Sequence, residues 1–121
     1  MIHIANQDLV EAMNSSSASL DFGESEVDQL KLQTADFENF SLPRIASAPV
    51  AYACELYEVK EVGDVPMFLI FMEIKHAYID DNAIEQGERL VVNANKIDPA
   101  ARLGGNDYAA LKESFTLVRP K

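Results

Sequence analysis

Residues 50–79, VAYACELYEVKEVGDVPMFLIFMEIKHAYI, decide the fold of this chain. Valine, isoleucine, phenylalanine and tyrosine are frequent on both sides of a Gly63-Asp64 step, and these residue types favour strands. The stretch therefore predicts two long strands, roughly 50–62 and 66–79, joined as a β-hairpin at Gly63-Asp64.

The second strand alternates in polarity, because Glu73 and Lys75 lie between Met72, Ile74 and His76. Successive side chains of a strand point to opposite faces of the sheet. This alternation predicts one buried face and one face in contact with water.

The first strand changes the phase of its alternation partway along. Glu55 is flanked by apolar Cys54 and Leu56, whereas further on the polar positions move to Glu58 and Lys60. A slip of one residue is what a β-bulge produces, and bulges bend strands at the corners of barrels. Strands of ~13 residues also exceed the usual length of ~5–6, which favours a coiled barrel over a flat sheet.

Shorter elements are predicted before the hairpin. Residues 1–5 resemble the end of a strand. Capping-box spacing at Asp8–Glu11 predicts a short helix that ends in the polar run 14–17, whose side chains compete for backbone hydrogen bonds. Ser25 is predicted to cap another helical turn.

The remaining segments carry weaker signals. Residues 33–48 lack periodicity, and Pro43 and Pro49 are predicted to bracket an extended connection there. Two further short strands are predicted, near 89–92 and at 115–118.

The adjacent glycines 104 and 105 invite two interpretations. Asp98-Pro99 has the features of a helix start, so residues 100–103 are predicted to form one helical turn that Gly104 ends. A second helix is then predicted over 108–113, and the glycines become a structural junction that presents Tyr108.

The alternative is that this glycine pair cradles a phosphate. A phosphate loop needs free N–H groups at the start of the following helix, and Asp107 would place a carboxylate beside them. Neither a following Lys-Ser/Thr nor a G-x-G-x-x-G pattern is present. The structural junction is therefore the favoured interpretation.

Composition excludes several classes of function. Twenty acidic and ten basic residues give a net charge of −10, and the basic residues are scattered, so nucleic acid and anionic membrane are not expected partners. The longest apolar run, 65–72, is much shorter than the ~20 residues of a membrane helix, and no secretory signal opens the chain. A single cysteine, Cys54, is interpreted as a small hydrophobe and suits a cytoplasmic protein.

No residue pattern names a reaction by itself. His76, Asp80 and Asp81 have side chains that can bind metals, but with only two histidines in the chain and no third ligand in view, a structural role is favoured and no metal is expected. No Cys-His or Ser-His-Asp signature indicates a nucleophilic enzyme. Taken alone, the polar run 14–17 is more typical of a helix end than of a ligand contact.

Four stretches, taken in order, resemble the C-terminal part of the flavin reductase-like family, the FMN-binding split barrels. They match the family patterns V-N-I-V…L-A-x-x-M-N-x-T-S, P-R-V…S-P-V-A…E-C-x-L, I-x-G-E-V-x-x-V-H-V-D-D and D-P…L-G-x-L-G-G-x-x-Y-A. The corresponding stretches here are IHIANQDLVEAMNSSSA, LPRIASAPVAYACELYEV, FLIFMEIKHAYIDD and KIDPAARLGGNDYAAL.

The resemblance covers nearly the whole chain and implies one flavin reductase-like domain over residues 1–121. It implies a mainly β fold with short helices, a split β-barrel, and a homodimer that binds FMN near the dimer interface. NADH or NADPH would be the electron donor. By analogy, Asn14, Ser16 and Ser17 lie in a loop near the flavin, whereas His76 and Tyr108 belong to stretches that line or border the cofactor.

The chain also departs from the family pattern. Family members carry an upstream half with the first barrel strands, and Met1 falls where they are mid-strand, so we expect an incomplete barrel without its N-terminal strands. Met72 replaces the family's glycine, and the loop 20–30 lacks the family's prolines. Two functions are therefore expected as alternatives. One is an NAD(P)H-dependent flavin reductase or oxidoreductase, possibly truncated, and the other is a non-catalytic half-barrel that oligomerises or pairs with another chain.

Overall fold

The computed structural model describes residues 1–65 and 67–120, in which nine strands form four small sheets joined by three short helices. The strands are β1 (Ile2–Ile4), β2 (Thr34–Phe37), β3 (Phe40–Ile45), β4 (Val50–Val62), β5 (Met67–Ile79), β6 (Ile84–Glu85), β7 (Val91–Val92), β8 (Ala100–Arg102) and β9 (Tyr108–Ala110). The helices are α1 (Val10–Ser15), α2 (Glu26–Gln29) and α3 (Ala94–Ile97), all too short to span a bilayer. The chain is thus mainly β with short helices, as predicted.

The predicted hairpin is confirmed as the antiparallel pair β4 and β5, each 13 residues long. Gly63 lies in the connection with φ of +86°, a backbone conformation that glycine adopts at little cost. Pro66, which the sequence placed in the second strand, lies outside the described residues. β1 pairs with the other edge of β4 and gives a sheet of order β1-β4-β5, which confirms the predicted strand at residues 1–5.

The predicted bulge is confirmed and is one of two in the β4–β5 hairpin. Leu56 pairs with Met72 whereas Glu58 pairs with Phe71, so Tyr57 is the extra residue on β4. A second register shift leaves Lys75 as the extra residue on β5. Each bulge increases the local twist and turns the side chains beyond it.

The buried core lies at one end of this hairpin. Ala51 and Ala53 of β4 are fully buried beneath Phe37 of β2, and Phe40 and Tyr78 pack against this cluster. Small residues on β4 permit this close approach of β2 and β3, because an alanine leaves room for the Phe37 ring.

The prediction of a buried face on β5 is wrong for the chain by itself. Every residue from Met67 to Ala77 that the structure describes is exposed, Met72 and Ile74 included. The sidedness is nevertheless present, since directly paired residues share a face. One face, the apolar face, carries these six exposed side chains: Leu56, Val59, Phe68, Ile70, Met72 and Ile74.

The opposite face of the hairpin, the charged face, carries the ion pairs. Lys60 lies 3.5 Å from Glu58, and Lys75 lies 2.7 Å from Glu73 and 3.4 Å from Glu55. These pairs are exposed, so each contributes little to stability.

Residues 33–48 form a hairpin where the sequence predicted an extended connection. β2 and β3 meet at a turn in which Asn39 has φ of +60°, a conformation that asparagine tolerates. Pro43 lies within β3 and not at its boundary. A proline is accommodated there because each strand of a two-stranded sheet has an outer edge that needs no donor.

Of the two helix starts predicted before the hairpin, one has the predicted cap and the other has a different cap. Ser25 caps α2 as expected, since its hydroxyl accepts a hydrogen bond from the Asp28 N–H. The helical region near residue 8 is also present, but its cap is Asn6, whose side chain accepts from the Leu9 N–H at the start of a 3-10 turn. The predicted strand near 89–92 is present as the two-residue β7, whereas residues 115–118 form no strand.

The two helices predicted around the glycine pair are wrong. Asp98 has φ of +49° and ends α3, with Pro99 just beyond, so this Asp-Pro pair terminates a helix and does not start one. β8 and β9 then pair as a hairpin across residues 103–107, with Gly105 at φ of +59°. The glycines therefore serve a β-turn.

The glycine pair allows a matched test of this turn. Gly105→Ala is expected to lower the free energy of unfolding by about 1–2 kcal/mol, because a Cβ disfavours the left-handed backbone that Gly105 adopts. Gly104→Ala is the control, since Gly104 has no positive φ and a Cβ there meets no atom within 4 Å. Urea denaturation measures both, and equal effects of the two substitutions would contradict this assignment of the turn.

Candidate functional site

One hydrogen bond joins two of the predicted site residues. The Tyr108 hydroxyl donates to Oδ1 of Asn14 over 3.0 Å, although the two residues are 94 positions apart. Asn14 lies in the last turn of α1, and Tyr108 opens β9. Both border a surface depression of about 490 Å³, together with Val10, Glu11, Ser15 and Asn106.

Backbone hydrogen bonds hold these two elements side by side. The Gln7 N–H donates to the carbonyl of Asp98 over 3.1 Å, and the Ala100 N–H donates to the carbonyl of Ala5 over 2.9 Å. The segment before α1 is thereby fixed to the start of β8. Tyr108 reaches Asn14 because the β8–β9 hairpin folds back from this anchor.

Ser16 and Ser17 follow Asn14 and are used in ending the helix. The Ser16 hydroxyl donates to the Met13 carbonyl over 2.8 Å, and the Ser17 hydroxyl donates to the Asn14 carbonyl over 2.7 Å. Each hydroxyl keeps its acceptor lone pairs. These serines can therefore still accept a hydrogen bond from a ligand.

The structure does not bring His76 to the Asn14–Tyr108 pair. His76 borders a different depression, of about 320 Å³, next to β2 and β3. Its ring centroid lies 6.4 Å from that of Phe37. His76 is exposed on β5, so its neighbours in this chain are the core aromatics and not the polar loop of α1.

The metal interpretation of His76, Asp80 and Asp81 gains no geometric support. Within residues 1–65 and 67–120, no group of three His, Cys, Asp or Glu side chains lies together in a way that could hold a metal ion. Asp80 has a structural task, because its Oδ1 accepts from the Asn82 backbone N–H over 2.9 Å and caps a 3-10 turn.

A cavity of about 880 Å³, which the sequence did not predict, lies between α1, α2 and the β2–β3 hairpin. Its lining combines apolar side chains with the charged or titratable groups of His3, Arg44, Glu26 and Asp28. The signal for it was a histidine between two isoleucines in β1, but nothing local in the sequence indicates that β3 lies opposite.

Arg44 of β3 has several partners. Its guanidinium carbon lies 3.6 Å from the centre of the Tyr78 ring, and its Nη1 donates to the carbonyl of Ala46 over 3.0 Å. The cation therefore fastens β3 to the base of β5 as well as bordering the cavity.

His3 is held in its neutral form. Burial lowers the pKa of His3 below its ordinary value of 6.5, and the positive charges of the chain's amino terminus and of Arg44 lower it further. Its Nε2 accepts a hydrogen bond from the Ile45 N–H over 3.0 Å, which only an unprotonated nitrogen can do.

The protonation of His3 predicts a pH dependence of stability. Because its pKa is lower in the folded chain than in the unfolded chain, the unfolded chain binds more protons below pH 6.5. The free energy of unfolding is therefore expected to be fully retained above pH 6.5 and to fall as the pH drops through the folded pKa. His3→Gln, which cannot titrate, should flatten this slope.

His76→Gln is the control for this experiment, since it removes the other histidine at an exposed position. Urea denaturation between pH 5 and 8 measures the slope. A His3→Gln chain that keeps the wild-type slope, or a His76→Gln chain that loses it, would contradict the assignment to His3.

Solved structures share this architecture. A nitrilotriacetate monooxygenase component B from Bacillus cereus superimposes with a TM-score of 0.83 and 29% identity, covering 95% of this chain and 57% of that one. A protein from Shewanella frigidimarina, described as a flavin reductase with a split barrel domain, superimposes with a TM-score of 0.85 and 24% identity over 98% of this chain. This chain has the split-barrel fold of the flavin reductase-like proteins.

The flavin reductase-like fold is represented only in part. The chain covers 59% of the Shewanella protein and 58% of the 2-nitrobenzoate 2-nitroreductase from Pseudomonas fluorescens, which superimposes with a TM-score of 0.84 and 24% identity. Such partial coverage agrees with the resemblance to a C-terminal portion. The described residues form no closed barrel.

The chain also spans only about 60% of the length of the curated sequence relatives it matches. An uncharacterized Bacillus subtilis protein, YwrF, is 29% identical over 99% of the chain, which spans 60% of that relative. An uncharacterized protein of Halalkalibacterium halodurans is 27% identical, and the chain spans 58% of it. No family model matches the chain.

The Asn14–Tyr108 depression suits an uncharged polar group of a ligand better than a phosphate. Its volume lies within the ~300–1,000 Å³ typical of small-molecule sites. The Tyr108 hydroxyl already donates to the Asn14 amide oxygen. The amide N–H₂ of Asn14 can still donate to the polar edge of a flavin ring, and the Tyr108 oxygen can still accept from it. Glu11 is the only charged side chain in its lining, and a carboxylate disfavours a phosphate.

Proposed function

We propose that this chain is the C-terminal part of an FMN-binding flavin reductase or oxidoreductase that uses NADH or NADPH and works in the cytoplasm as a homodimer. The observation that carries the proposal is the similarity to component B of nitrilotriacetate monooxygenase, at 29% identity and a TM-score of 0.83 over 95% of the chain. The pairing of Asn14 with Tyr108, two residues the resemblance had linked to flavin, supports it.

In this proposal the chain's own residues bind and orient the ring. The Asn14 amide and the Tyr108 hydroxyl border its polar edge. Ser16 and Ser17 follow on the same loop outside the lining of this depression, and their hydroxyls keep acceptor lone pairs for a more distant part of the ligand. Bound FMN would supply a ring system that accepts hydride from a nicotinamide. His76 lies at a separate depression, so a role for it toward the flavin would require a part of the cofactor outside the Asn14–Tyr108 depression. The phosphate is held away from Glu11.

An FMN titration tests the proposal directly. Adding the purified chain to FMN is expected to quench flavin fluorescence with micromolar or tighter affinity, because a ring enclosed by protein loses its contact with water. NADH or NADPH should then be oxidised in the presence of both. A chain that leaves FMN fluorescence and NAD(P)H oxidation unchanged would contradict the proposed function.

The Asn14–Tyr108 contact can be tested by removing one atom. Tyr108→Phe is expected to weaken FMN binding by about 2- to 10-fold, the effect of one hydrogen bond worth ~0.5–1.5 kcal/mol. Tyr57→Phe is the matched control, since Tyr57 is the exposed bulge residue of β4 and lies outside the depression. Equal affinities of the Tyr108→Phe and wild-type chains would remove this contact from the flavin site.

A second candidate function is favoured by the exposed apolar face of the β4–β5 hairpin. In that case the chain is a non-catalytic half-barrel that acts by oligomerisation or by pairing with another chain. An assembled protein that binds no FMN would favour this candidate over the reductase.

A further inference from the structure

The cavity of about 880 Å³ and the Asn14–Tyr108 depression lie on different sides of α1. Glu11 and Asn14 of this helix border the depression, whereas Ala12 and Met13 border the cavity. Because an α-helix has about 3.6 residues per turn, these two pairs of residues face in opposite directions. The cavity is therefore separate from the candidate flavin site.

The walls of this cavity are built by the first third of the chain. All its lining residues lie within residues 1–45, and β1, α1, α2, β2 and β3 each contribute. The hydrogen bond from the Ile45 N–H to Nε2 of His3 ties β3 to β1. The volume lies within the ~300–1,000 Å³ typical of small-molecule sites. These elements, and not the outer part of the β4–β5 hairpin, shape the cavity.

Arg44 brings a cation with unused donors to the lining. Its Nη1 donates to the carbonyls of Ile45 and Ala46 over 3.4 Å and 3.0 Å. Within residues 1–65 and 67–120, its Nε–H and Nη2–H₂ groups have no acceptor, and no carboxylate forms an ion pair with it. A half-buried guanidinium of this kind suits a carboxylate, which it can bind through two parallel hydrogen bonds.

His3 contributes a second donor. Because its Nε2 accepts from the Ile45 N–H, the proton of the neutral ring is on Nδ1. That Nδ1–H has no acceptor in the part of the chain that the structure describes. The positive charge of Arg44 acts on the His3 ring and is one cause of its lowered pKa, so the two groups lie near each other. Two neighbouring side chains with unused N–H groups thus border one cavity.

The rest of the lining restricts the body of a ligand. Leu9 is buried, Met13 is half-buried and Leu42 is 51% exposed, so they offer apolar surface at different depths. Glu26 and Asp28 of α2 are exposed, which places their carboxylates at the rim. Apolar walls favour a hydrocarbon body, and the rim carboxylates disfavour a second negative charge on it.

We propose that this cavity binds a small amphipathic monocarboxylate, a molecule with one carboxylate on a hydrocarbon body. The carboxylate accepts hydrogen bonds from Arg44 and His3. The hydrocarbon body packs against Leu9, Met13 and Leu42. This site goes beyond the proposed flavin site and does not overlap with it, so its ligand and FMN bind at the same time.

Phenylacetate is the probe for this site, and the four methionines of the chain report where it binds. Met1 and Met13 line the cavity, whereas Met67 and Met72 lie on β5. In a chain with isotope-labelled methionine methyl groups, phenylacetate is expected to shift the NMR signals of Met1 and Met13. The titration should give a dissociation constant of about 1 mM or tighter, as for a small fragment in a formed site. The signals of Met67 and Met72 should not move.

Two analogues of phenylacetate test the charge of the ligand. Phenylacetamide has the same shape without the charge, and it is expected to bind at least about 10-fold more weakly because it loses the charge-assisted hydrogen bonds to Arg44. The dianion para-phenylenediacetate carries a second carboxylate at the other end of the ring. It is also expected to bind more weakly than phenylacetate, since Glu26 and Asp28 repel that charge.

Substitutions test the cavity from the side of the protein. Arg44→Gln is expected to weaken phenylacetate binding at least about 10-fold, whereas Arg102→Gln, at an exposed position outside the cavity, should leave it unchanged. Arg44 also contacts Tyr78, so urea denaturation checks that the Arg44→Gln chain is folded. Ala12→Phe keeps Arg44 and fills the cavity instead. It should abolish phenylacetate binding and leave FMN binding intact.

Several results would overturn the proposal. These are no binding of phenylacetate, shifts of Met67 and Met72 as large as those of Met13, equal affinities for phenylacetate and phenylacetamide, unchanged binding by the Ala12→Phe chain, and displacement of phenylacetate by FMN. Failure of the proposed function has a different signature. A chain that binds phenylacetate in this way but binds no FMN rejects the reductase alone, whereas FMN binding without phenylacetate binding rejects this cavity alone.

Discussion

The hydrogen-bonded ladder between β4 and β5 is the interaction on which the rest of the structure depends. Two 13-residue strands pair along their whole length, and the edge of β4 accepts β1. At the base of the ladder, the fully buried Ala51 and Ala53 let Phe37 of the β2–β3 hairpin approach closely. The outer part of the same ladder has no such cover within the described residues, so its apolar face is exposed.

Apolar burial is therefore distributed unevenly along one hairpin. Burial of apolar surface is the main source of folding free energy. Here that burial is concentrated where the β2–β3 hairpin packs on the base of β4. The outer half offers the same kind of side chains to a partner. A split barrel that is represented in part leaves such surface by necessity, because the strands of a barrel bury one another's inner faces. The candidate flavin contact lies elsewhere, between α1 and β9, which are joined through the anchor at Gln7 and Asp98.

The long strands were predicted well from the sequence, whereas two of the short hairpins, β2–β3 and β8–β9, were not. The phase slip after Leu56 correctly predicted a bulge, whereas the alternation around Glu73 and Lys75 predicted a buried face that the described part of β5 does not have. The β2–β3 hairpin was missed because its turn rests on the positive φ of Asn39, a weak signal without glycine. The prediction of a helix start at Asp98-Pro99 is wrong because the same two residues can start a helix or follow one, and only the position of α3 distinguishes the two cases.

The sequence by itself determined the long hairpin, its bulge at Tyr57, the Ser25 cap and the family resemblance, since each depends on residues close together in the chain. Through that resemblance the sequence also identified Asn14 and Tyr108 as candidate site residues. Only the tertiary structure decided that these two side chains meet, that His76 lies apart from them, and that His3 and Arg44 border one cavity. The physical reason is that such contacts join residues far apart in sequence, and their geometry is set by strand register and turn conformation.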